Sequence, residues 1–152
     1  GGEELEVLQQ HGIPAVVVPG ITAGLGAAAS AAIPLTHRGV AQSVTFVTAT
    51  GAAGEHLNWL ALAAQHQTVV FYMSAAQISH IVARLLESGA HPDLPATIIE
   101  RATWPDQRVI KSTLALLTVT AQDARLQSPS LLVVGEVAGL AQSFELGAEF
   151  AA

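Results

Sequence analysis

Hydrophobic and polar positions along the chain follow two periods. Ile78, Ile81, Val82, Leu85 and Leu86 fall at i, i+3, i+4, i+7 and i+8, which predicts an amphipathic helix over 75–87. Gly89 stops it and Pro92 follows. Shorter β-branched runs carry the second period. Residues 43–48 alternate and read as a strand, and 68–73 form a β-branched and aromatic strand. Residues 15–18 and 131–134 read as short buried strands, 96–99 as a strand, and 108–111 as another after the turn at Pro105-Asp106. Further helices are predicted at 3–10, closed by His11-Gly12, at 22–32, at 57–64 and at 114–126. Residues 34–39 read as a loop and 51–54 as a loose connection, while the tail from 142 onward has no clear pattern. Strands and helices alternate, so the fold class is α/β or mixed, and no tandem repeat is visible.

One segment raises a question of chemistry. Residues 16–30, VVVPGITAGLGAAAS, match G-x-G-x-x-A, the fingerprint of a dinucleotide site. Such a site also needs an acidic residue about 20 positions later to bond a ribose hydroxyl. Between Glu6 and Glu55 there is no Asp or Glu. The small residues therefore read as a helix packed closely on a sheet.

Composition narrows the picture. The 152 residues suffice for one compact domain or a lobe of a larger one. With 51% hydrophobic and 12% charged residues, the chain is expected to fold. No apolar stretch reaches about 18 residues without a turn signal, so no membrane span is expected. The net charge is -6 with a single lysine, Lys111, which disfavours a nucleic-acid partner. Cysteine is absent, which excludes disulfides and thiolate metal sites and is compatible with the cytoplasm. The six histidines lack metal-ligand spacing, so no metal is expected. Low charge also points to surfaces covered by another subunit or another part of the protein.

Seven segments then occur in order: GGEE, GIPAVVVPGITA, AAIPLTHRG, SVTFVTA, TVVFYM, PDQRVIKSTL and SPSLLVVGEV. Together they resemble the uroporphyrinogen-III C-methyltransferases of the tetrapyrrole methylase family, including the methyltransferase half of siroheme synthase. The resemblance runs over essentially the whole chain. It implies an α/β fold in which residues 1–20 are a remnant of an N-terminal lobe and 21–34 a hinge helix. Residues 35–152 would then be the C-terminal lobe, a mixed sheet of about five strands flanked by helices. It also implies that the family's glycine-rich loop and its acid/base aspartate and lysine lie outside these residues. Lys111 does not match that lysine.

The resemblance further implies S-adenosylmethionine as methyl donor, uroporphyrinogen III as substrate, precorrin-2 as product and a homodimer as the assembly. Thr22 and Ala23 match cofactor-contacting positions, where a loop entering a helix presents free N–H groups. An ordinary helix N-cap is the alternative for Thr22. Met73 matches a position beside the cofactor, with plain core as the alternative. Ala102 matches a small residue near the adenine. A substrate with eight carboxylates calls for arginine, and Arg38 is the sole Lys or Arg between residues 1 and 83. A surface arginine on a loop is the alternative there. Ring methylation needs a base, for which Glu3 of the GGEE motif is the candidate, against an ordinary first-turn helix acid. Trp104 stands in a turn that is usually small or polar in the family. Two rival readings remain: a related methylase with another substrate, and a non-catalytic cofactor-binding or dimerisation lobe.

Overall fold

The structure is a computed structural model that describes residues 1–49 and 57–142. The expected loose connection at 51–54 and the tail beyond 142 lie outside the described residues. Five helices, α1 (Gly2–Gln10), α2 (Ala23–Ser30), α3 (Trp59–Leu62), α4 (Ile78–Glu87) and α5 (Leu117–Asp123), accompany five strands. The strands are β1 (Ser43–Thr48), β2 (Gln67–Tyr72), β3 (Pro95–Glu100), β4 (Arg108–Thr113) and β5 (Ser130–Val134). They form one sheet in the order β1-β2-β5-β3-β4. β1 and β2 are parallel, whereas β5 runs antiparallel to both of its neighbours and β4 antiparallel to β3. The mixed α/β architecture with about five strands is therefore as the sequence reading has it.

Strand alternation divides the core into two layers. Val69, Phe71, Ile98, Leu132 and Val134 face one side, where Ile78, Ile81 and Leu85 of α4 and Leu117 of α5 cover them. Val70, Ile99, Leu131 and Val133 face the other, against Ala27 and Ala28 of α2, Ala31, Ile33 and Val137. The runs of apolar residues in β2, β3 and β5 reflect burial on both faces. The predicted stripe of α4 is the buried one, with Ile78, Ile81, Val82 and Leu85 inward. Its first turn, Ala75–Gln77, is a 3₁₀ helix.

The structure corrects the sequence reading at 15–18. These residues form no strand, and Val16, Val17 and Val18 are 89%, 73% and 83% exposed. A strand is stabilised by a neighbouring ladder, and no described strand pairs with this segment. Helix α1, where it was expected, buries none of its residues. Two other helices are shorter than predicted. α5 starts at Leu117 because Leu114 and Ala115 donate their N–H groups to Leu94 and Pro92 across the chain. α3 keeps four residues, capped by the Asn58 side chain accepting from the Ala61 N–H.

Candidate functional site

The parallel strands end at Thr48 and Tyr72, and a cavity of ≈ 460 Å³ opens beyond that edge of the sheet. Four separate parts of the sequence build it. Ala23 begins α2; Tyr72 and Met73 follow from β2, with Ala75 and Ala76 in the turn before α4. Ile99, Ala102 and Trp104 come from the end of β3 and its turn, and residues 128–131 from the start of β5. Among the described residues, no Asp, Glu, Lys, Arg or His lines it. A space of this size walled by alanines, aliphatic side chains and the aromatic rings of Tyr72 and Trp104, with Ser128 and Ser130 at one side, suits an uncharged, flat group of nucleoside dimensions.

Tyr72 sets the entrance to α2. Its hydroxyl accepts the Gly24 N–H at 3.0 Å and shares a hydrogen bond with the Thr22 hydroxyl. Thr22 has the extended conformation of an N-cap (φ -66°, ψ 145°), yet its side chain does not cap the helix. The tyrosine satisfies one of the free helix N–H groups in its place. Gly24 makes this approach possible, because a Cβ there would lie 2.6 Å from the Tyr72 hydroxyl and 2.5 Å from Phe46 Cε1. The glycine of the apparent fingerprint thus serves close packing.

The opposite wall hangs on a buried ion cluster. The Glu100 side chain is 0% exposed. Arg108 binds both of its oxygens, Arg101 Nη2 lies 3.0 Å from Oε1, and the Gln127 N–H donates to Oε2 at 3.2 Å. Burial pushes the Glu100 pKa up, but the Arg108 hydrogen bond, the Gln127 N–H and the two guanidinium charges outweigh it and hold it below the usual value. Arg101 also reaches Asp106 at 3.0 Å, and Arg108 donates to the Ala124 carbonyl at 3.0 Å. Gln107 completes the frame: its side chain accepts the Thr103 N–H at 2.6 Å and donates to the Ser30 carbonyl of α2 at 3.1 Å. Within this frame Arg101 and Thr103 hold φ of 47° and 69°, and Met73 on the facing wall holds 51°. Left-handed conformations of non-glycine residues cost of order 1–3 kcal/mol each and persist only where surroundings impose them.

The structure therefore brings Ala23, Met73 and Ala102 to one cavity, with Thr22 adjoining it through Tyr72. Met73 is 60% exposed, so it is not plain core. Arg38 is not brought there. Its turn is closed by paired backbone bonds between His37 and Ala41, and Gln42 donates to His66 just before β1 and β2 begin. Arg38 borders a separate shallow depression at that end, roughly one six-residue strand (about 17 Å) from the edge where the cavity opens. Glu3 lies in the first turn of the exposed helix α1, outside the cavity lining. Sequence reasoning gave no site role to Tyr72, to residues 128–131 or to the Glu100 cluster, although Arg101, Arg108 and Asp106 read as a charge pair bracing their turn. The FYM segment held the first in plain view, but only the sheet order puts β5 between β2 and β3.

Comparison with known proteins gives a consistent picture. Residues 1–118 match the model of the Tetrapyrrole (Corrin/Porphyrin) Methylases. The siroheme synthase of Tolumonas auensis is 49% identical over 144 residues, which is 94% of this chain and 30% of that protein. The siroheme synthase of Xylella fastidiosa is 48% identical over 143 residues, again 30% of its length. This chain thus spans under a third of the length of these curated relatives. The uroporphyrin-III C-methyl transferase of Thermus thermophilus, solved in complex with S-adenyl homocysteine, superposes with a TM-score of 0.79 at 31% identity, covering 92% of this chain and 61% of that one. A cobalt precorrin-4 methyltransferase shares the fold, with a TM-score of 0.81 at 24% identity.

Proposed function

Because this chain belongs to the tetrapyrrole methylase family, we propose that its cavity holds the adenosine part of S-adenosylmethionine and that the protein methylates uroporphyrinogen III to precorrin-2. The carrying observation is the convergence of Ala23, Met73 and Ala102 on one uncharged cavity. It is supported by the S-adenyl homocysteine complex of the similar Thermus thermophilus enzyme. When bound, the donor supplies a methyl group on an electrophilic sulfonium. Tyr72 and the alanines shape the pocket that orients it. Met73 moulds to the ligand through a flexible thioether.

This chain carries part of the active site. Residues 1–20 are read as belonging to an adjoining lobe, 21–34 as a hinge helix and 35–152 as the C-terminal lobe; the exposed Val16–Val18 run supports the first. Glu3 stays the proposed proton acceptor on the substrate side, since its helix buries no residue. Arg38 stays the proposed substrate-binding arginine, at a depression separate from the cavity of the methyl donor. A homodimer in the cytoplasm completes the reading. No described helix is long and apolar enough to cross a membrane.

The test is methyl transfer from labelled S-adenosylmethionine to uroporphyrinogen III by the intact protein, with calorimetry of S-adenosylhomocysteine. Binding and double methylation are expected. Binding without transfer to uroporphyrinogen III would favour a related methylase with another substrate.

A further inference from the structure

The two tryptophans of this chain have opposite surroundings. Trp59 is 5% exposed, stacks on Phe71 with centroids 6.2 Å apart and meets His80 edge-on. Trp104 is 53% exposed. It nevertheless lines the cavity, together with Tyr72 and Met73.

An exposed indole on a floppy loop would mean little. This one sits on a braced turn. The Trp104 N–H donates to the Arg101 carbonyl at 3.0 Å, and its carbonyl accepts from Gln107 at 3.1 Å. Arg101 is tied to Glu100 and Asp106, and Thr103 to Gln107. Two left-handed residues, Arg101 and Thr103, are held there, which places the indole at the cavity instead of over the apolar core. A half-exposed indole held at the cavity by a pinned turn presents its apolar face to whatever fills that cavity.

We propose that Trp104 is a specificity-determining residue that packs against the adenine of the methyl donor. This rests on the functional reading above. The cavity chemistry selects adenine over the macrocycle. Among the described residues no cationic side chain lines the space, so they offer no counter-charge to the carboxylates of a tetrapyrrole there. A neutral heterocycle needs none, and an aromatic face stabilises it by stacking.

The experiment uses the intact protein and calorimetry, comparing wild type with Trp104→Ala, Trp104→Leu and Trp104→Phe, each checked for its fold by circular dichroism. S-adenosylhomocysteine and adenosine should both bind roughly tenfold more weakly to the Ala and Leu variants. The Phe variant keeps a ring and should stay within about threefold of wild type. Uroporphyrin III, the stable oxidised analogue, should bind all four proteins alike. Unchanged S-adenosylhomocysteine affinity in Trp104→Ala and Trp104→Leu overturns the inference alone, as does a loss confined to uroporphyrin III. Wild type that binds no S-adenosylhomocysteine overturns the functional reading with it.

Discussion

Arg108 and Glu100 face each other across the β3–β4 register, and the guanidinium closes on the buried carboxylate through Nε at 3.3 Å and through Nη2. The pair holds more than the strand edge. Through Arg101 and the Gln127 N–H, the same carboxylate ties down both segments that wall the cavity on that side. One buried charge thus links core stability to the shape of the site.

Glu100→Gln leaves Arg108 without its counter-charge and Arg101 with Asp106 alone, which is costly where burial is deep. The expected loss is about 3 kcal/mol, at the lower end for a buried pair, because Arg108 keeps 40% exposure and water solvates it. Chemical denaturation measures it. Because the folded-state pKa of Glu100 lies below its usual value of 4.5, the unfolded chain takes up the proton first as pH falls. The stabilisation is therefore complete above about pH 6 and is lost as pH drops through 4.5 toward the folded-state value. The Gln variant should show a shallower acid limb over that window, and an identical limb would rule out this carboxylate as its source.

The two glycines of the apparent fingerprint should respond in opposite directions. A Cβ at Gly24 collides with Phe46 and the Tyr72 hydroxyl, whereas at Gly26 it meets nothing within 4 Å. Gly24→Ala should cost about 1–3 kcal/mol by overpacking and displace Tyr72 from the start of α2. Gly26→Ala should stabilise by about 0.5–1 kcal/mol, because alanine loses less backbone freedom in a helix. Thermal melts of both variants settle it, and equal effects would show that the close approach is not what Gly24 serves.

Ala102→Val adds two methyl groups at the cavity wall. S-adenosylhomocysteine should bind about tenfold more weakly, while the melting temperature moves by less than about 3 °C, since the site is only partly buried. Calorimetry and a melt on the same sample separate the two. A large drop in melting temperature with affinity intact would make Ala102 a packing residue.

Arg38→Ala tests the separation of the two ends of the sheet. With the side chain about one strand length from the cavity, cofactor affinity should stay within about twofold of wild type. A fivefold loss would contradict that separation.

Local pattern alone determined most of the elements. The period of α4, the β-branched runs of β1, β2, β3 and β5, and the small residues of α2 dictate their own conformation and which face they bury, so residue order suffices. The chain's motifs also pointed to Ala23, Met73 and Ala102. Pairing was not legible. Residues 15–18 look like a strand because three valines favour one, but a strand forms only where a neighbour supplies its ladder, and none of the described strands does. Nor could residue order tell that β5 inserts between β2 and β3. That insertion carries residues 128–131 to the cavity beside Met73 and folds Glu100 under the wall, while the His37–Ala41 turn holds Arg38 at the other end of the strands. Side-chain chemistry is fixed locally, whereas proximity depends on which strands exchange hydrogen bonds, a choice made by the whole core at once.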